Sequence, residues 1–175
     1  MSGATIRRLT VVEDAHVDAL AGVLCDCVAG GASVSFMNPL TIDRAVAFWR
    51  GVAEGVARGE RVLLVAEDET AAIVGTVQVV VAQPENQPHR SDVAKMLVHR
   101  SARRRGIGAM LMQSAEREAI REGKSLLVLD TVTGGDAERL YARLGWQRCG
   151  VIPGYALWPD GGLCATTVFF KPLAG

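Results

Sequence analysis

The run Leu126-Leu127-Val128-Leu129-Asp130-Thr131 most restricts the folds open to this chain. A short continuous apolar run bounded by polar residues reads as a strand buried on both faces, and such strands belong to parallel sheet covered by helices. A helical pattern precedes it from about Gly106 to Glu122, with Ile107, Met110, Leu111, Ser114 and Ala115 on one face. Before that helix stands another strand, Asp92–Val98. Strand, helix and strand over residues 92–131 predict a parallel pair joined by a right-handed crossover.

The rest of the chain alternates in the same way. Ala4–Leu9 reads as a first strand, and Thr10-Val11-Val12-Glu13 offers a capping box. The helix that follows carries Val17, Leu20, Ala21, Leu24, Cys27 and Val28 at helical spacing, and Gly30-Gly31 stops it. After the loop GGASVSFMNPL, a second helix has the apolar stripe Ala45, Phe48, Trp49, Val52, Ala53 and Val56. RVLLVAE and AIVGTVQVVV flank the polar turn Asp68-Glu69-Thr70 as an antiparallel hairpin. Asp136–Leu144 is a short helix ended by Gly145. Trp146–Val151 then pairs with Ala165–Phe170 around Pro159-Asp160-Gly161-Gly162. The order β-α-α-β-β-β-α-β-α-β-β predicts one α/β (α+β) domain over residues 1–175. It has a mixed central sheet of about seven strands flanked by about four helices.

Composition narrows the roles. Formal net charge is zero, which argues against a global nucleic-acid or acidic-membrane binder. No apolar run approaches the ~20 residues of a membrane span. The N-terminal MSGATIRRLTVVED lacks the apolar core of a signal peptide, so the expected location is cytoplasmic. Cys25, Cys27, Cys149 and Cys164 do not form a zinc pattern, and His16, His89 and His99 are not grouped, so no metal is expected.

Arg103-Arg104-Arg105-Gly106-Ile107-Gly108 sits at a strand-to-helix turn. Helix N-termini present unpaired N–H groups and partial positive charge, and glycines let a phosphate approach them. The string is neither a P-loop nor a dinucleotide fingerprint, because the Gly-Lys-Ser/Thr and the third glycine are missing. The plainer alternative is a solvated arginine cluster before an ordinary helix, with Gly108 allowing close packing.

Arg103-x-x-Gly106-x-Gly108 resembles the Arg/Gln-x-x-Gly-x-Gly/Ala motif of the GNAT-superfamily N-acetyltransferases. LVHRSARRRGIG and ERLYARLGW are similar to the strings around that motif and to the family's later tyrosine helix. GGASVSFM, KMLVHRSARRRGIG, LLVLDT and IPGYALWPDGGL resemble the tabtoxin-resistance group within it, which acetylates an amino-acid-like toxin. The resemblance implies acetyl-CoA as cosubstrate and a parallel pair, residues 92–98 and 125–131, that splays to admit it. The amides from Arg103 through Arg104, Arg105, Gly106, Ile107 and Gly108 to Ala109 would hold its pyrophosphate. Met96, Leu97 and Val98 would pair with its pantetheine arm, and the Val98 N–H would face the oxyanion. The family often has an Asn seven residues before the tyrosine; here that position is Gly134.

Acetyl transfer to an amine needs a neutral amine, oxyanion donors and a proton for the departing thiolate. Asp130 closes a buried strand and Asp92 opens its neighbour; either could be the base or an ammonium binder, and either could be an ordinary strand-end residue. Tyr141 matches the tyrosine that in the family points at the acetyl-CoA sulfur, which makes it the expected general acid. Phe36, Trp49, Tyr155 and Trp158 are candidate walls of a substrate pocket. Lys95 and Arg90 read as solvated cations, with contact to an acidic substrate group as the alternative. No Cys stands at the motif positions to carry a covalent acetyl group. The expected activity is direct acetyl transfer to a small-molecule primary amine, toxin-like or antibiotic-like by resemblance. A housekeeping amino acid, polyamine or protein N-terminus is the alternative acceptor, and a non-catalytic acyl-CoA-binding module the alternative class. Family resemblance also suggests a homodimer.

Overall fold

The computed structural model describes residues 3–174. Its strands are Thr5–Leu9 (β1), Arg61–Glu67 (β2), Ile73–Val80 (β3), Arg90–Val98 (β4), Leu126–Val132 (β5), Gln147–Leu157 (β6) and Leu163–Pro172 (β7). They form one sheet in the order β1-β2-β3-β4-β5-β7-β6. Every neighbouring pair is antiparallel except β4 and β5, which run parallel as the central strand–helix–strand pattern requires. The α-helices are Asp14–Ala29 (α1), Ile42–Ala57 (α2), Ile107–Arg121 (α3) and Asp136–Arg143 (α4). The mixed α/β architecture read from the sequence is therefore present.

Helices cover both faces of the sheet, which is why β2 reads as an unbroken apolar run. Val62, Leu64 and Ala66 pack with Ile107, Leu111 and Ala115 of α3. Leu63 and Val65 pack on the other side with Leu20 and Leu24 of α1 and Trp49 of α2. Period-two alternation thus serves two cores, and no polar face is left on this strand. No helix among the described residues is long and apolar enough to cross a membrane.

Three boundaries differ most from the sequence reading, and the first is β4, which begins at Arg90 rather than Asp92. Helix α1 starts at Asp14 with Glu13 as its N-cap, and the Glu13 N–H donates to His16 Nδ1 at 3.0 Å. Thr10–Val12 are used in leaving the sheet, so the box lies at Glu13 and His16 rather than at Thr10 and Glu13. The last hairpin is longer than expected. β6 continues past Pro153-Gly154 because the chain bulges there: Ile152 faces Thr166 and Ala156 faces Cys164.

The feature that positions the site is a parting of β4 from β5. Their register runs only through Arg90–Leu126, Ser91–Leu127 and Asp92–Val128. Beyond Asp92, β4 stays with β3 while β5 stays paired with β7 as far as Val132. A bulge marks the departure. Ala94 faces Gln78 and Leu97 faces Thr76, so Lys95 and Met96 share the place opposite Val77, and Lys95 has a φ of 52°.

Gly75 on β3 lies under this point. A Cβ there would stand 3.0 Å from the Leu97 carbonyl oxygen and 3.3 Å from Ile107 Cγ2. Gly75→Val is expected to lower stability by about 1–3 kcal/mol in chemical denaturation, as overpacking does. An unchanged midpoint would show that the β4 end and α3 can move apart freely.

Candidate active site

Helix α3 begins at the mouth of the gap. Its N-cap, Gly106, is left-handed at φ 78° and supplies no side-chain cap. The amides of Ile107, Gly108 and Ala109 precede the first intrahelical bond, which runs from the Met110 N–H to the Gly106 carbonyl at 3.1 Å. A Cβ at Gly106 would meet nothing within 4 Å, whereas one at Gly108 would lie 3.0 Å from Leu140 Cδ2 and 3.7 Å from Met96 Sδ. The two glycines therefore differ in role. Gly106 serves backbone conformation beside open space, and Gly108 lets α3, α4 and the β4 end close on one another.

The arginines divide as well. Arg104, left-handed at φ 61°, and Arg105 are exposed at the turn. Arg103 is exposed too, but its head group is engaged: its Nε donates to the Val98 carbonyl at 3.1 Å, and Nη2 lies 3.9 Å from Cys27 Sγ. Its guanidinium thus fastens the strand end. Asp26 of α1 fastens the same turn, accepting from the Arg100 N–H at 2.8 Å and Arg100 Nε at 2.9 Å. Burial alone would raise the Asp26 carboxyl, but these bonds and the His99 and Arg100 charges hold it below the usual range.

Backbone direction at Val98 follows from the ladder. The His99 N–H donates to the Val74 carbonyl at 2.8 Å, and Val98 faces Gly75. Antiparallel pairs alternate, so the Val98 N–H and carbonyl point away from β3, toward the side where β5 has departed. Cys27 Sγ, 3.5 Å from the Val98 carbonyl oxygen, reaches the same place. Burial pushes the Cys27 thiol up.

Tyr141 on α4 packs its ring 6.0 Å from Phe169 and 6.1 Å from Trp146, centroid to centroid. Burial first, and the Asp130 charge second, push its phenol well above the ordinary tyrosine range. No hydrogen bond engages its hydroxyl among the described residues. Gly134, at φ 83°, donates its N–H to Glu138 in the turn before α4, and a glycine offers no side-chain contact there.

The structure separates the two candidate aspartates. Asp92 lies at the last paired position of the parallel strands, held by Arg90 and by Gln83 Nε2 at 3.0 Å. Arg90 is consumed in the same cluster, donating also to Gln87 Oε1 at 2.8 Å. Asp130 lies beyond the parting, exposed, with Thr166 Oγ1 at 2.9 Å from its Oδ2.

Of the expected pocket walls, Trp49 is corrected outright: it is 0% exposed within the α1–α2 core and cannot line an open pocket. Phe48, its neighbour, is the residue that reaches outward. It packs edge-on against Phe36 at 5.3 Å, and the Lys95 ammonium lies 5.7 Å from its ring centroid. Sequence periodicity put Phe48 and Trp49 on one stripe and could not tell which faced the cleft. Tyr155 and Trp158 stand exposed on the last hairpin, and Tyr155 makes no ring contact with Phe36 or Phe48 among the described residues. The loop after α1 is clamped to that hairpin, with Ser33 Oγ donating to the Leu157 carbonyl and the Asn38 N–H to the Pro159 carbonyl, both at 2.9 Å. No group of metal-ligating side chains is gathered among the described residues.

Residues 59–148, just over half of the chain, match the family model described as an acetyltransferase (GNAT) domain. The fold is similar to an N-acetyltransferase from Staphylococcus aureus Mu50, with 20% identity, a TM-score of 0.81, and 99% of this chain and 100% of that chain covered. It is similar to a GCN5-related N-acetyltransferase from Kribbella flavida, with 25% identity, a TM-score of 0.80, and 98% of each chain covered. It is also similar to a GNAT-superfamily phosphinothricin acetyltransferase from Sinorhizobium meliloti solved with acetyl-CoA. That match has 16% identity, a TM-score of 0.80, and 98% of this chain and 89% of that chain covered.

Gly106 carries a conformation that a β-branched residue resists. Gly106→Val is expected to weaken acetyl-CoA binding at least about tenfold in calorimetry. Gly106→Asn, which tolerates the left-handed region, should recover most of it. Unaltered affinity in the valine variant would show that this turn does not hold the cofactor.

Proposed function

The chain belongs to the GNAT acetyltransferase family, and we propose that it transfers the acetyl group of acetyl-CoA to the primary amine of a small, amino-acid-like molecule by direct attack in a ternary complex. The observation that carries this reading is the parting of β4 from β5 after Asp92, with the uncapped N-terminus of α3 at its mouth. The gap accepts an extended arm, and the free amides of Ile107, Gly108 and Ala109 accept a pyrophosphate. The residues present fit acetyl-CoA, which when bound supplies an acyl thioester.

The chain's own groups then divide the work. Met96 and Val98 line the open strand edge, and the Val98 N–H, aimed away from β3, is the donor to the developing oxyanion. Asp130 receives the acceptor's ammonium and, directly or through water, its proton. Asp92, tied to Arg90 at the closed end of the gap, is left a structural role. Tyr141 keeps its proton at neutral pH, because burial and the Asp130 charge both oppose ionisation, and delivers it to the departing sulfur. Cys27 is buried and its thiol pushed up, which leaves it a poor thiolate and favours direct attack over an acetyl-cysteine.

The segments resembling the tabtoxin-resistance group, and the likeness to a phosphinothricin acetyltransferase, support a toxin-like or antibiotic-like acceptor. The reading includes cytoplasmic action and a homodimer through β6, the end strand, whose Val151, Ile152 and Tyr155 are exposed. Sedimentation at micromolar concentration should return twice the chain mass; a monomer would remove the dimer.

Acetyl transfer is tested by CoA-thiol release across a panel of amines. Tyr141→Phe should lower kcat at least about tenfold with acetyl-CoA affinity unchanged, as loss of a proton donor does. Asp130→Asn should lower kcat/KM comparably, and Asp92→Asn should change it little. Full turnover in Tyr141→Phe would remove the general-acid role, and binding of acetyl-CoA without release for any amine would make the chain a binding module.

A further inference from the structure

Lys95 reads from sequence as a solvated cation, yet the structure does not leave it in water. The bulge in β4 holds its backbone at φ 52°, a conformation that L side chains rarely adopt. Its side chain is only partly exposed; Nζ donates to Ser35 Oγ at 3.1 Å and sits beside the Phe48 ring. Ser35 is itself left-handed at φ 77°. Two adjoining strained residues therefore fix one ammonium against the wall of the gap.

That ammonium has no carboxylate within 4.0 Å among the described residues. Arg90, Arg8 and Lys171 all have one, in Asp92, Glu118 and Glu116. Burial pulls the Lys95 ammonium below the ordinary lysine range, and only the more distant Asp130 charge resists this, while Arg61 adds repulsion. A half-buried cation without a counter-ion is costly, and an anionic group seated on it would cancel that cost. Of its three N–H donors Ser35 takes one, leaving others for a ligand.

Asp130 mirrors this state on the other side of the parting. One of its oxygens is near Thr166, the other has no hydrogen bond among the described residues, and the residue is exposed. Lys95 and Asp130 feel each other's charge without forming an ion pair. Opposite charges that flank one cleft without neutralising each other suit a ligand carrying both signs.

Resting on the acetyl-transfer reading above, we infer that Lys95 is the anchor for the α-carboxylate of the acceptor while Asp130 takes its amine, so that the acceptor is a free α-amino acid or an analogue that keeps its carboxylate. The acceptor is then oriented at both ends before attack, with its amine toward Asp130 and the Val98 strand end. Polyamines and peptide-bonded substrates lack the α-carboxylate beside the reacting amine and are excluded by this arrangement.

The test compares the common amino acids with their α-amides and their decarboxylated amines, on wild type, Lys95→Met and Lys95→Arg with saturating acetyl-CoA. Thermal stabilisation reports binding, and CoA release reports turnover. Wild type should prefer the acid to its amide at least about tenfold in kcat/KM, the scale of a charge-assisted contact. Lys95→Met should erase that preference by raising KM for the acid, with the amide unchanged, and Lys95→Arg should retain much of it. Amides and decarboxylated amines binding as well as the acids in wild type would overturn the anchor, as would an equal loss for acid and amide in Lys95→Met. Should Lys95→Met fail to fold, the wild-type comparison and Lys95→Arg decide alone. Acid-selective stabilisation without CoA release from any amine would keep the anchor and remove acetyl transfer; release from amides alone would do the reverse.

Discussion

The site depends on a backbone feature: past Asp92, β4 is hydrogen-bonded to β3 alone and bulges there, while β5 continues with β7. The ladder to β5 ends at Asp92, and Lys95 and Met96 then share one place opposite Val77, on a strand whose far edge has no neighbouring strand. Backbone groups on that edge still need partners. At Val98 the carbonyl finds them in Arg103 and in the Cys27 thiol. This gives the first motif arginine a partner on the strand end, while all three arginines of the turn remain exposed. The sheet tolerates the opening because β5 is fully paired with β7 on its other side and α3 covers the face below.

The same opening sets the electrostatics. Around it the environment favours neutral forms: burial raises the Tyr141 phenol and the Cys27 thiol and lowers the Lys95 ammonium. Aminolysis of a thioester needs a neutral nucleophile and an acid that still holds its proton, so a site of low polarity serves both demands. Asp130 supplies the countervailing charge. It opposes ionisation of Tyr141 and supports the charge on Lys95, so one carboxylate biases both neighbours toward their protonated states.

The sequence made the architecture legible because its evidence was periodic. The apolar run at 126–131, the α3 stripe and the glycine turn are short-range patterns that survive without knowledge of the fold. Phe48 and Trp49 show where such patterns stop: adjacent residues on one stripe, one sealed in the core and one at the cleft, divided only by how α2 sits on α1. Lys95 shows the deeper limit. No glycine or proline marks the bulge, so nothing local announces that a lysine in a strand will be strained, half-buried and without a counter-ion. Asp92 and Asp130 likewise looked equivalent until the register placed one at the closed end of the gap and the other beyond it.

Backbone strain separates those residues whose side chains matter from those whose absence matters. Four non-glycine residues among those described have positive φ, and three of them, Ser35, Lys95 and Arg104, belong to this region; the fourth, Ala71, is in the β2–β3 turn. Each costs on the order of 1–2 kcal/mol that a glycine would avoid. At Gly106 the same conformation is taken by glycine, beside open space that a ligand can enter. At Ser35 and Lys95 the more costly residue is kept, and the two side chains meet at 3.1 Å. A glycine at either position would relax the backbone and dissolve the contact that holds the ammonium at the cleft wall.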